Sequence, residues 1–555
     1  MSQLLTTGEF IFALALMLGV VITVHEYGHF IVAKWCNVRI LKFSIGFGKP
    51  IGIGRFRLSK VWNGTEYAIC WIPLGGYVRM LGESDEEVEE PREGPGTPFS
   101  EKPLWQKLLV LVAGPAMNLV LPVVLFACIY GVGLNREAAI IGTVERGSPA
   151  AEAGLHAGDR VTEIDGNAIF WWSDLVGLVR GSPGETLSWT VERAGRELTV
   201  QILTEGRRGI DTFRTPVRVG WVGVQHTRLR PVLGVPDASS LASDLGFRSG
   251  DRVLSVSGVP IDDWGQLELQ QRSSVDSTLN VEVERSFPDG PQTLVISAPG
   301  HDSFEKLGLI AAVVTVAAVT PFSAAAEAGI LEGDMIVGLD GKPLGSFSAF
   351  QEAVLAGGGG EMVLMVARNG ESFEIKVQPR LVEVEISGTP LDVYRIGIEG
   401  KNINLAGVYD LDRELNPLVG LARGAEKTAE ITVLFMRGLK KMVLGEISGK
   451  SIGGPIEIAR QSHRALKTGW ESFVEMLILI SVNIGILNML PIPVLDGGQA
   501  LMYSVEGLSR GKLSKQARGL FQQFGMIFLL AIMAFAFWND ISRNWSTFFD
   551  WLTGF

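Results

Sequence analysis

Four long apolar stretches dominate the pattern of hydrophobic and polar positions along this chain. Each approaches the ~20 consecutive apolar residues that a helix needs to cross the hydrocarbon core of a bilayer. They run roughly over Gly8–Trp35, Leu108–Asn135, Met476–Leu495 and Gly519–Asn539. The pattern therefore predicts a polytopic α-helical membrane protein with four transmembrane helices.

Between the first two apolar stretches, the pattern changes to the alternation that is typical of β-strands. Polar and apolar residues alternate over Arg55–Trp62 and again over Thr65–Trp71, and Asn63-Gly64 separates the two runs. Asn-Gly between alternating segments is a strong signal for a two-residue hairpin turn. A further strand is expected around Gly76–Met80, so this segment is predicted to form a membrane-associated β-hairpin or small sheet.

The long segment between the second and third apolar stretches repeats itself. Each copy has an Ala-rich start, a Gly-Asp pair, an apolar strand and a tight turn. The Gly-Asp pairs are Gly158-Asp159, Gly250-Asp251 and Gly333-Asp334. The order resembles PDZ domains of the bacterial protease type, which implies three extracytoplasmic PDZ-like α+β domains. The middle copy departs most, at Pro236–Ser240, so we expect its ligand groove to be the least well formed.

Two roles remain open for these modules. A PDZ domain usually binds an extended peptide or a C-terminus by adding it as a strand to a sheet edge. Alternatively, the modules are spacers that restrict access by their bulk. The two roles can coexist in one protein.

The pattern divides the chain into consecutive segments. They are the first membrane helix (1–35), a cytoplasmic loop with the β-hairpin and an acidic linker (36–104), the second membrane helix (105–136), three PDZ-like domains (137–222, 223–303 and 304–400), extracytoplasmic amphipathic helices (401–470), the third membrane helix (471–496), a cytoplasmic loop (497–518), the fourth membrane helix (519–541) and a C-terminal tail (542–555). The amphipathic helices are expected either on the outer membrane face or packed on a PDZ module.

Positive charge in the short loops predicts the orientation in the membrane. Residues 33–82 contain eight Lys or Arg and one acid, Glu66, and the loop between the third and fourth spans is also basic, with Arg510, Lys512, Lys515 and Arg518. Both loops are therefore predicted to be cytoplasmic, with the long repeated segment and both termini outside. His25 and His29 then lie toward the cytoplasmic end of the first span.

Composition narrows the classes of function only slightly. Of the 555 residues, 47% are hydrophobic, which is consistent with a membrane protein, and the net charge of -11 comes partly from an acidic run at Glu83–Glu93. Such a run is most simply a solvated loop, and nothing in the chain indicates binding to nucleic acid. Cys36, Cys70 and Cys128 form no CxxC pair, so no disulfide framework is implied.

The first apolar stretch ends in His25-Glu26-Tyr27-Gly28-His29. On a helix, residues four apart project from the same face, where two imidazoles can hold one Zn²⁺ while the adjacent Glu acts as general base. Ionisable residues within a membrane helix are costly, and three within five positions require partners or a metal. The motif therefore predicts a zinc hydrolase site inside the bilayer.

Two histidines leave a catalytic zinc one protein ligand short. Asp496 comes where the third apolar run ends, at the same predicted depth as the histidines, and Pro491 and Pro493 break the helix just before it. Irregular backbone at membrane depth is tolerated only where it faces protein or a watery cavity. Asp496 is therefore favoured as the third zinc ligand over a carboxylate that merely faces water.

Two other kinds of function are compatible with parts of this pattern. Two His and one carboxylate also suit a non-haem Fe(II) enzyme, but Glu26 would then have no evident role. A non-catalytic membrane scaffold that recruits envelope proteins through PDZ modules would not need Glu26 either. Neither alternative accounts for the segment Asn488–Gly498.

With these residues identified, the chain resembles the site-2 protease family of intramembrane zinc metalloproteases, of the bacterial RseP (regulator of sigma-E protease) type, over nearly its whole length. His-Glu-x-x-His in the first span, Ala113–Asn118 in the second and Asn-x-x-Pro-x-Pro-x-Leu-Asp-Gly-Gly in the third occur in the family's order. The resemblance implies that His25, His29 and Asp496 are the zinc ligands and that Glu26 is the catalytic base.

The resemblance also implies residues that handle the substrate. Asn488, Pro491 and Pro493 would help to hold the substrate strand. The strand with Gly76, Tyr77 and Val78 is similar to the family's membrane-associated β-loop, whose edge can pair with an unwound substrate beside the zinc. The alternative is a hairpin that only caps the cytoplasmic face.

The resemblance further implies hydrolysis of a peptide bond within or beside the membrane helix of a single-span protein that an upstream site-1 protease has already shortened outside. The expected substrates are anti-sigma factors of an envelope stress response and remnant signal peptides. The expected location is the bacterial inner membrane, with the PDZ modules in the periplasm, because no Arg- and Ser-rich transit segment precedes the first span.

Two features depart from the pattern of the family. The familiar bacterial enzymes of this type have two PDZ modules, whereas three are predicted here. Gln499 stands where a His often follows Asp-Gly-Gly. That position is not a zinc ligand in the family, so we expect little effect on the chemistry.

Overall fold

The computed structural model describes residues 2–543 apart from 54–55, 84–94, 214, 236, 238, 275–276, 288, 302, 313, 345–346, 369–370, 387–388, 402–403, 447–452 and 510–513. The chain forms two compact units, here called the membrane unit (Met1–Leu134 with Asp412–Phe555) and the repeat unit (Asn135–Leu411). Most of the predicted acidic run, most of the C-terminal tail, and Arg510 and Lys512 lie outside the described residues.

The membrane unit begins with helix α1 (Ser2–Trp35) and contains helix α2 (Leu104–Val132). The strands between them are β1 (Ile40–Pro50), β2 (Gly52–Ile53), β3 (Phe56–Arg57), β4 (Ser59–Trp62) and β5 (Thr65–Met80), and a 3₁₀ turn at Phe99–Glu101 precedes α2. Pro103 stands at the N-cap of α2, where the missing N–H of proline costs no helical hydrogen bond. Both helices are long and apolar enough to cross a membrane.

The small sheet confirms the predicted hairpin and corrects the strand after it. Asn63 and Gly64 have φ values of 48° and 73°, the left-handed conformation that a type I′ turn requires at both central residues. The strand expected around Gly76–Met80 is not a separate element but the second half of β5, and both halves of β5 pair with β1. Gly75, with a φ of 131°, provides the bend that brings the second half back.

Strand β6 (Leu134–Glu137), whose first residue still belongs to the membrane unit, leads into the first repeat. Its elements are β7 (Thr143–Val144), α3 (Pro149–Glu152), β8 (Arg160–Ile164), β9 (Asn167–Ala168), α4 (Trp172–Gly181), β10 (Thr186–Arg193), β11 (Arg196–Leu203), β12 (Glu205–Ile210), β13 (Pro216–Trp221) and β14 (Val224–Gln225). The closing strand β14 pairs with β7, and the main sheet has the order β11-β10-β8-β9. Trp189 is fully buried at the centre of this repeat.

The second repeat follows the same order around its own core. Its elements are β15 (Arg228–Leu229), β16 (Leu233–Gly234), α5 (Leu241–Asp244), β17 (Arg252–Val256), β18 (Val259–Pro260), α6 (Trp264–Arg272), β19 (Thr278–Phe287), β20 (Gly290–Pro299), α7 (Phe304–Leu307) and β21 (Ile310–Ala311). The closing strand β21 pairs with β16. A short helix, α7, stands where the first repeat has the hairpin β12–β13.

The third repeat again has the hairpin. Its elements are β22 (Thr315–Val319), α8 (Ala324–Glu327), β23 (Met335–Leu339), β24 (Lys342–Pro343), α9 (Phe347–Ala356), β25 (Met362–Arg368), β26 (Glu371–Val377), β27 (Arg380–Ile386), β28 (Thr389–Arg395) and β29 (Ile398–Lys401). Strand β29 pairs with β22. Two further strands, β30 (Asn404–Leu405) and β31 (Tyr409–Asp412), pair with β15 and β6.

One ion pair is present in all three repeats. The carboxylates of Asp159, Asp251 and Asp334 are almost inaccessible, and each accepts two hydrogen bonds from an arginine 34 residues further on: Arg193, Arg285 and Arg368. The same arginine also donates to a backbone carbonyl of the preceding turn, at Gly154, Gly246 and Gly329. Asp and Arg thus fix the start of the sheet to the turn in every copy.

The closing strands correct the predicted repeat boundaries. The first copy extends to Gln225 and the second to Ala311, beyond the predicted ends at 222 and 303, because the closing strands return to pair with β7 and β16 of their own copies. In the segment where the middle copy departs, Pro236 and Ala238 lie outside the described residues, and the expectation for its ligand groove stays a prediction. Ser240 caps helix α5 through its side chain, as Ser148 and Ser323 cap the corresponding helices.

The second part of the membrane unit is helical. Its helices are α10 (Pro417–Val443), α11 (Pro455–Thr468), α12 (Trp470–Met489), α13 (Asp496–Leu508) and α14 (Lys515–Arg543). Helices α12 and α14 contain spans of membrane length, which with α1 and α2 gives the four predicted spans. Helix α10 packs against α2, where a Cβ at Gly424 would lie 2.5 Å from the Val123 carbonyl oxygen. The position expected for the amphipathic helices, on the outer membrane face or on a PDZ module, stays a prediction.

The end of the third membrane helix differs from the prediction. Helix α12 ends at Met489, not at 496, because Pro491 and Pro493 cannot continue it. The predicted loop at 497–518 is largely helix α13, which begins at Asp496. Asp496 therefore lies at the start of a new helix rather than at the end of the membrane helix.

Candidate active site

Helix α1 places His25 and His29 on one face, one turn apart. Both imidazoles are buried, and their Nε2 atoms lie 3.2 Å apart. The two rings meet edge to face with their centroids 4.8 Å apart. The predicted spacing thus brings two ring nitrogens to one point inside the membrane unit.

Asp496 completes this cluster from the opposite side. Its Oδ2 atom lies 3.0 Å from His25 Nε2 and 3.5 Å from His29 Nε2. The glycines that follow it are required for this approach: a Cβ at Gly497 would lie 2.5 Å from the Leu490 carbonyl oxygen, and one at Gly498 would lie 2.7 Å from Pro493 Cα. The Asp-Gly-Gly sequence therefore lets the chain fold tightly enough to turn the carboxylate toward the histidines.

The spacing of the three candidate ligand atoms is close to the spacing around a tetrahedral zinc ion. Ligand atoms at 2.0–2.2 Å from a tetrahedral ion lie about 3.3–3.6 Å from one another. The two nitrogens and the carboxylate oxygen form a triangle with sides of 3.0, 3.2 and 3.5 Å. No lysine or arginine among the described residues forms an ion pair with Asp496, so a divalent cation would supply the missing positive charge.

Residues of helix α2 contact both histidines. His29 Nδ1 donates to the Val110 carbonyl oxygen at 2.8 Å, which leaves Nε2 free to act as a ligand. Gly114 makes room for the His29 ring, since a Cβ there would clash with it. The side-chain amide of Asn118, which is fully buried, lies 3.3 Å from His25 Nδ1.

Glu26 is adjacent to the cluster and contacts the sheet. Its Oε2 atom accepts a hydrogen bond from the Val78 backbone N–H at 3.0 Å. A Cβ at Gly76 would lie 3.7 Å from Glu26 Cγ, so the second half of β5 runs directly past the carboxylate. Tyr77, between them, stacks on Phe47 with ring centroids 6.1 Å apart.

The three other predicted substrate residues lie in different surroundings. Asn488, in the last turn of α12, places its side-chain nitrogen 3.4 Å from His25 Nε2, so it lies at the cluster of His25, His29 and Asp496. Pro493 is buried against α14, where a Cβ at Gly525 would lie 2.5 Å from Pro493 Cβ. Pro491 is exposed.

The sequence argument assigned no role to Val110, Gly114 or Asn118. Gly114 and Asn118 are four residues apart in the uncharged stretch Leu108–Asn135, as His25 and His29 are in α1, and this spacing was the available signal. The contact made by Val110 comes from its backbone carbonyl, so its side chain carries no signal at all.

Comparison with known proteins identifies relatives over most of the chain. Residues 13–532 match the family model of Peptidase family M50. A protein of Ralstonia nicotianae named as a zinc metalloprotease (RSc1411) is 30% identical over 545 residues, which cover 97% of this chain and 99% of the relative. The regulator of sigma-E protease RseP of Escherichia coli is 30% identical over 526 residues, which cover 95% of this chain and 97% of the relative.

A solved structure matches a smaller part. The PDZ domain of an SdrC-like protein from Listeria monocytogenes is 26% identical to the aligned segment, which covers 17% of this chain and 90% of that domain, with a TM-score of 0.14.

Proposed function

Because this chain belongs to peptidase family M50, we propose that it hydrolyses peptide bonds within or beside the membrane helices of single-span proteins. It is a zinc-dependent metalloprotease of the site-2 protease type, with several membrane spans in the inner membrane. The observation that carries this proposal is the position of Glu26. It lies beside the buried cluster of His25, His29 and Asp496 and is hydrogen-bonded to the second half of β5.

We assign His25, His29 and Asp496 as the zinc ligands and Glu26 as the catalytic base. Zinc held there would polarise the scissile carbonyl and lower the pKa of the attacking water. Glu26 takes the proton of that water and returns it to the leaving amine. Asn488 carries a side-chain N–H donor 3.4 Å from His25 Nε2, and we assign it to help hold the substrate strand beside the cluster.

The second half of β5 is the segment that we expect to hold the substrate. A helical substrate has its carbonyl groups hydrogen-bonded within the helix, so it must unwind before cleavage. Gly76, Tyr77 and Val78 pair with β1 on one side, and the Val78 N–H already points at Glu26 on the other. An unwound substrate that pairs on that side is placed next to the base.

The prolines after α12 contribute in different ways. Pro493 packs against α14 and fixes the backbone just before Asp496. Pro491 is exposed and prevents α12 from continuing, so we assign it to the surface that the substrate strand meets.

The proposed substrates are membrane proteins that another protease has already trimmed. The relative in Escherichia coli is named for regulation of sigma-E. By analogy we propose anti-sigma-factor-like proteins and remnant signal peptides as substrates, with a site-1 protease acting upstream. The bilayer itself is the medium in which enzyme and substrate meet.

The proposed orientation follows from the basic loops. The sheet between α1 and α2 carries Lys42, Lys60 and Arg79, which favours the cytoplasmic side. The active site then lies toward the cytoplasm and the repeat unit lies in the periplasm, where its three PDZ-like modules exclude untrimmed substrates by bulk or bind their new ends.

Cleavage by purified enzyme in detergent tests this proposal. The wild type and the Glu26→Gln variant are incubated with a tagged single-span substrate, and the metal content of both is measured. We expect zinc in both proteins and a loss of cleavage of at least about 100-fold in the variant, since general-base catalysis contributes 10²–10⁴-fold. Iron in place of zinc would support the non-haem alternative instead.

A matched control lies on the same helix. Glu9, in the first turns of α1, interacts with His463 and Lys467 and is distant in sequence from the motif. Glu9→Gln should retain both zinc and cleavage. An active Glu26→Gln enzyme would remove Glu26 as the base.

A further inference from the structure

Asn118 is a fully buried polar residue in the middle of a membrane helix. Its exposed fraction is 0%, and its side-chain nitrogen lies 3.3 Å from His25 Nδ1. Its side-chain oxygen, Oδ1, is buried and has no hydrogen-bond partner. A buried polar atom without a partner costs free energy, above all in a membrane helix. The environment of Asn118 therefore needs an explanation.

Rotation of the amide by 180° gives the side-chain oxygen a hydrogen-bond partner. A rotation of 180° exchanges the oxygen and the nitrogen of an Asn amide and leaves the shape of the side chain almost unchanged. Which atom is the oxygen is therefore assigned from the hydrogen bonds. With the amide rotated, Oδ1 accepts a hydrogen bond from His25 Nδ1–H. The same change leaves Nε2 without a proton and with its lone pair directed toward Asp496 Oδ2, 3.0 Å away. One rotation thus gives the oxygen a donor and prepares His25 to be a metal ligand, while the amide nitrogen takes the oxygen's former position.

The second histidine shows the same arrangement. His29 Nδ1 is held by the Val110 carbonyl oxygen at 2.8 Å, and its Nε2 faces the same centre. Both outer contacts come from helix α2, eight residues apart, one through the backbone and one through a side chain. Only the contact with Asn118 can be removed by substitution.

Asn118 is itself held in place by helix α12. Its backbone carbonyl accepts a hydrogen bond from Ser481 Oγ at 2.8 Å, and a Cβ at Gly485 would lie 3.2 Å from Asn118 Cβ. The same helix ends in Asn488 at the metal cluster. The position of the amide is therefore fixed by the packing of α2 against α12.

We propose that Asn118 is a positioning residue for the zinc centre: its side-chain oxygen accepts the Nδ1 proton of His25 and so fixes both the tautomer and the orientation of that ligand. This inference rests on the proposed zinc site and adds a residue to it. Asn118 touches neither substrate nor reacting atoms, so its effect passes through His25. Loss of such an outer contact typically weakens metal binding 10–100-fold.

The test measures zinc affinity, so that it does not depend on cleavage. Zinc binding by the full chain in the Glu26→Gln background is measured by competition with a chromophoric chelator. Asn118→Leu keeps the volume and removes the acceptor, and we expect about 10–100-fold weaker binding. Asn118→Asp keeps an acceptor at the same place, and we expect binding within a few-fold of the parent. The d–d absorption of the same variants after substitution with Co²⁺ reports the ligand geometry.

A second asparagine provides the control. Asn483 in α12 also has a buried side-chain oxygen without a hydrogen bond, and among the described residues it forms no hydrogen bond with either histidine. Asn483→Leu should leave zinc affinity unchanged. Equal losses in Asn118→Asp and Asn118→Leu, or no loss in Asn118→Leu, would overturn the positioning role. Absence of zinc from the parent protein itself would instead count against the proposed function.

Discussion

Asp251 in the repeat unit is fully buried and the Asp496 side chain in the membrane unit is 19% exposed, and the two aspartates have different partners. In the repeat unit, Asp251 accepts two hydrogen bonds from Arg285 and one from the Arg248 backbone N–H. In the membrane unit, Asp496 has two imidazoles within reach, and among the described residues no arginine or lysine pairs with it. The first carboxylate is fully compensated by the protein, whereas the second is not.

This difference indicates which buried charges are structural. A carboxylate whose charge and lone pairs are satisfied within the chain holds a turn to a sheet, and the repeat unit builds that arrangement three times. A carboxylate that faces two further ligand atoms and no cation, as Asp496 does, suits a divalent metal, which is the role that we propose for it. The partners of a buried acid therefore distinguish its role better than its burial does.

The largest effect is expected from substitution of Asp496. Asp496→Ala removes one of three protein ligands, so zinc binding should weaken by more than about 100-fold, beyond the loss that an outer contact causes. Cleavage should fall to background. Zinc stoichiometry after dialysis, measured by atomic emission, checks the first expectation.

Glu506 provides a control on the same helix. It pairs with Arg518 at 3.0 Å and makes no contact with the histidines. Glu506→Ala should keep full zinc content. If Asp496→Ala also keeps it, Asp496 is not a ligand and the contrast between the two units fails.

The next largest effect is expected on stability, from Asp251→Ala in the middle repeat. The substitution leaves Arg285, whose side chain is 13% exposed, without its counter-charge. Breaking a buried ion pair in this way costs about 3–5 kcal/mol. Hydrogen exchange of the full protein should show faster opening of the middle repeat, with zinc content unchanged.

A surface ion pair in the same repeat is the matched comparison. Arg252 and Glu284 lie 3.2 Å apart and are both exposed. Glu284→Ala should cost less than about 1 kcal/mol. Equal effects of Asp251→Ala and Glu284→Ala would mean that the buried ion pair stabilises the repeat no more than the surface ion pair does.

The contrast between the units also explains what the sequence could predict. His25, Glu26 and His29 were predictable because helical spacing alone places two imidazoles on one face. Asp496 was predictable from its depth in the membrane, which topology supplies. The four spans followed from hydropathy, and the turn at Asn63-Gly64 followed from its backbone preference.

The remaining features depend on long-range packing. The pairing of Asp251 with Arg285 links residues 34 positions apart, and no local pattern marks the arginine. The doubling back of β5 onto β1 depends on one glycine with positive φ, at Gly75, among many other glycines. The contact of Val110 with His29 uses a backbone carbonyl, which every residue has. Such features follow from the folded structure and not from local sequence.

The smallest effect is expected from His156, in the repeat unit, and it appears only in acid. Burial and then the charges of Arg272 and Arg193 lower the pKa of His156 from 6.5 to about 4. Between these values the unfolded chain binds a proton that the folded chain does not, so the free energy of unfolding falls as pH falls from about 6.5 to about 4 and is undiminished above 6.5. The decrease in Tm between pH 7 and pH 5 should be smaller in His156→Gln than in the wild type, by at most about 2–4 °C. Arg272→Gln should act in the same direction because it removes a repelling charge. If both variants lose as much stability in acid as the wild type, protonation of His156 does not contribute to the loss of stability in acid. The ion pairs of the buried aspartates are then the only charge compensation in the repeat unit that this comparison supports.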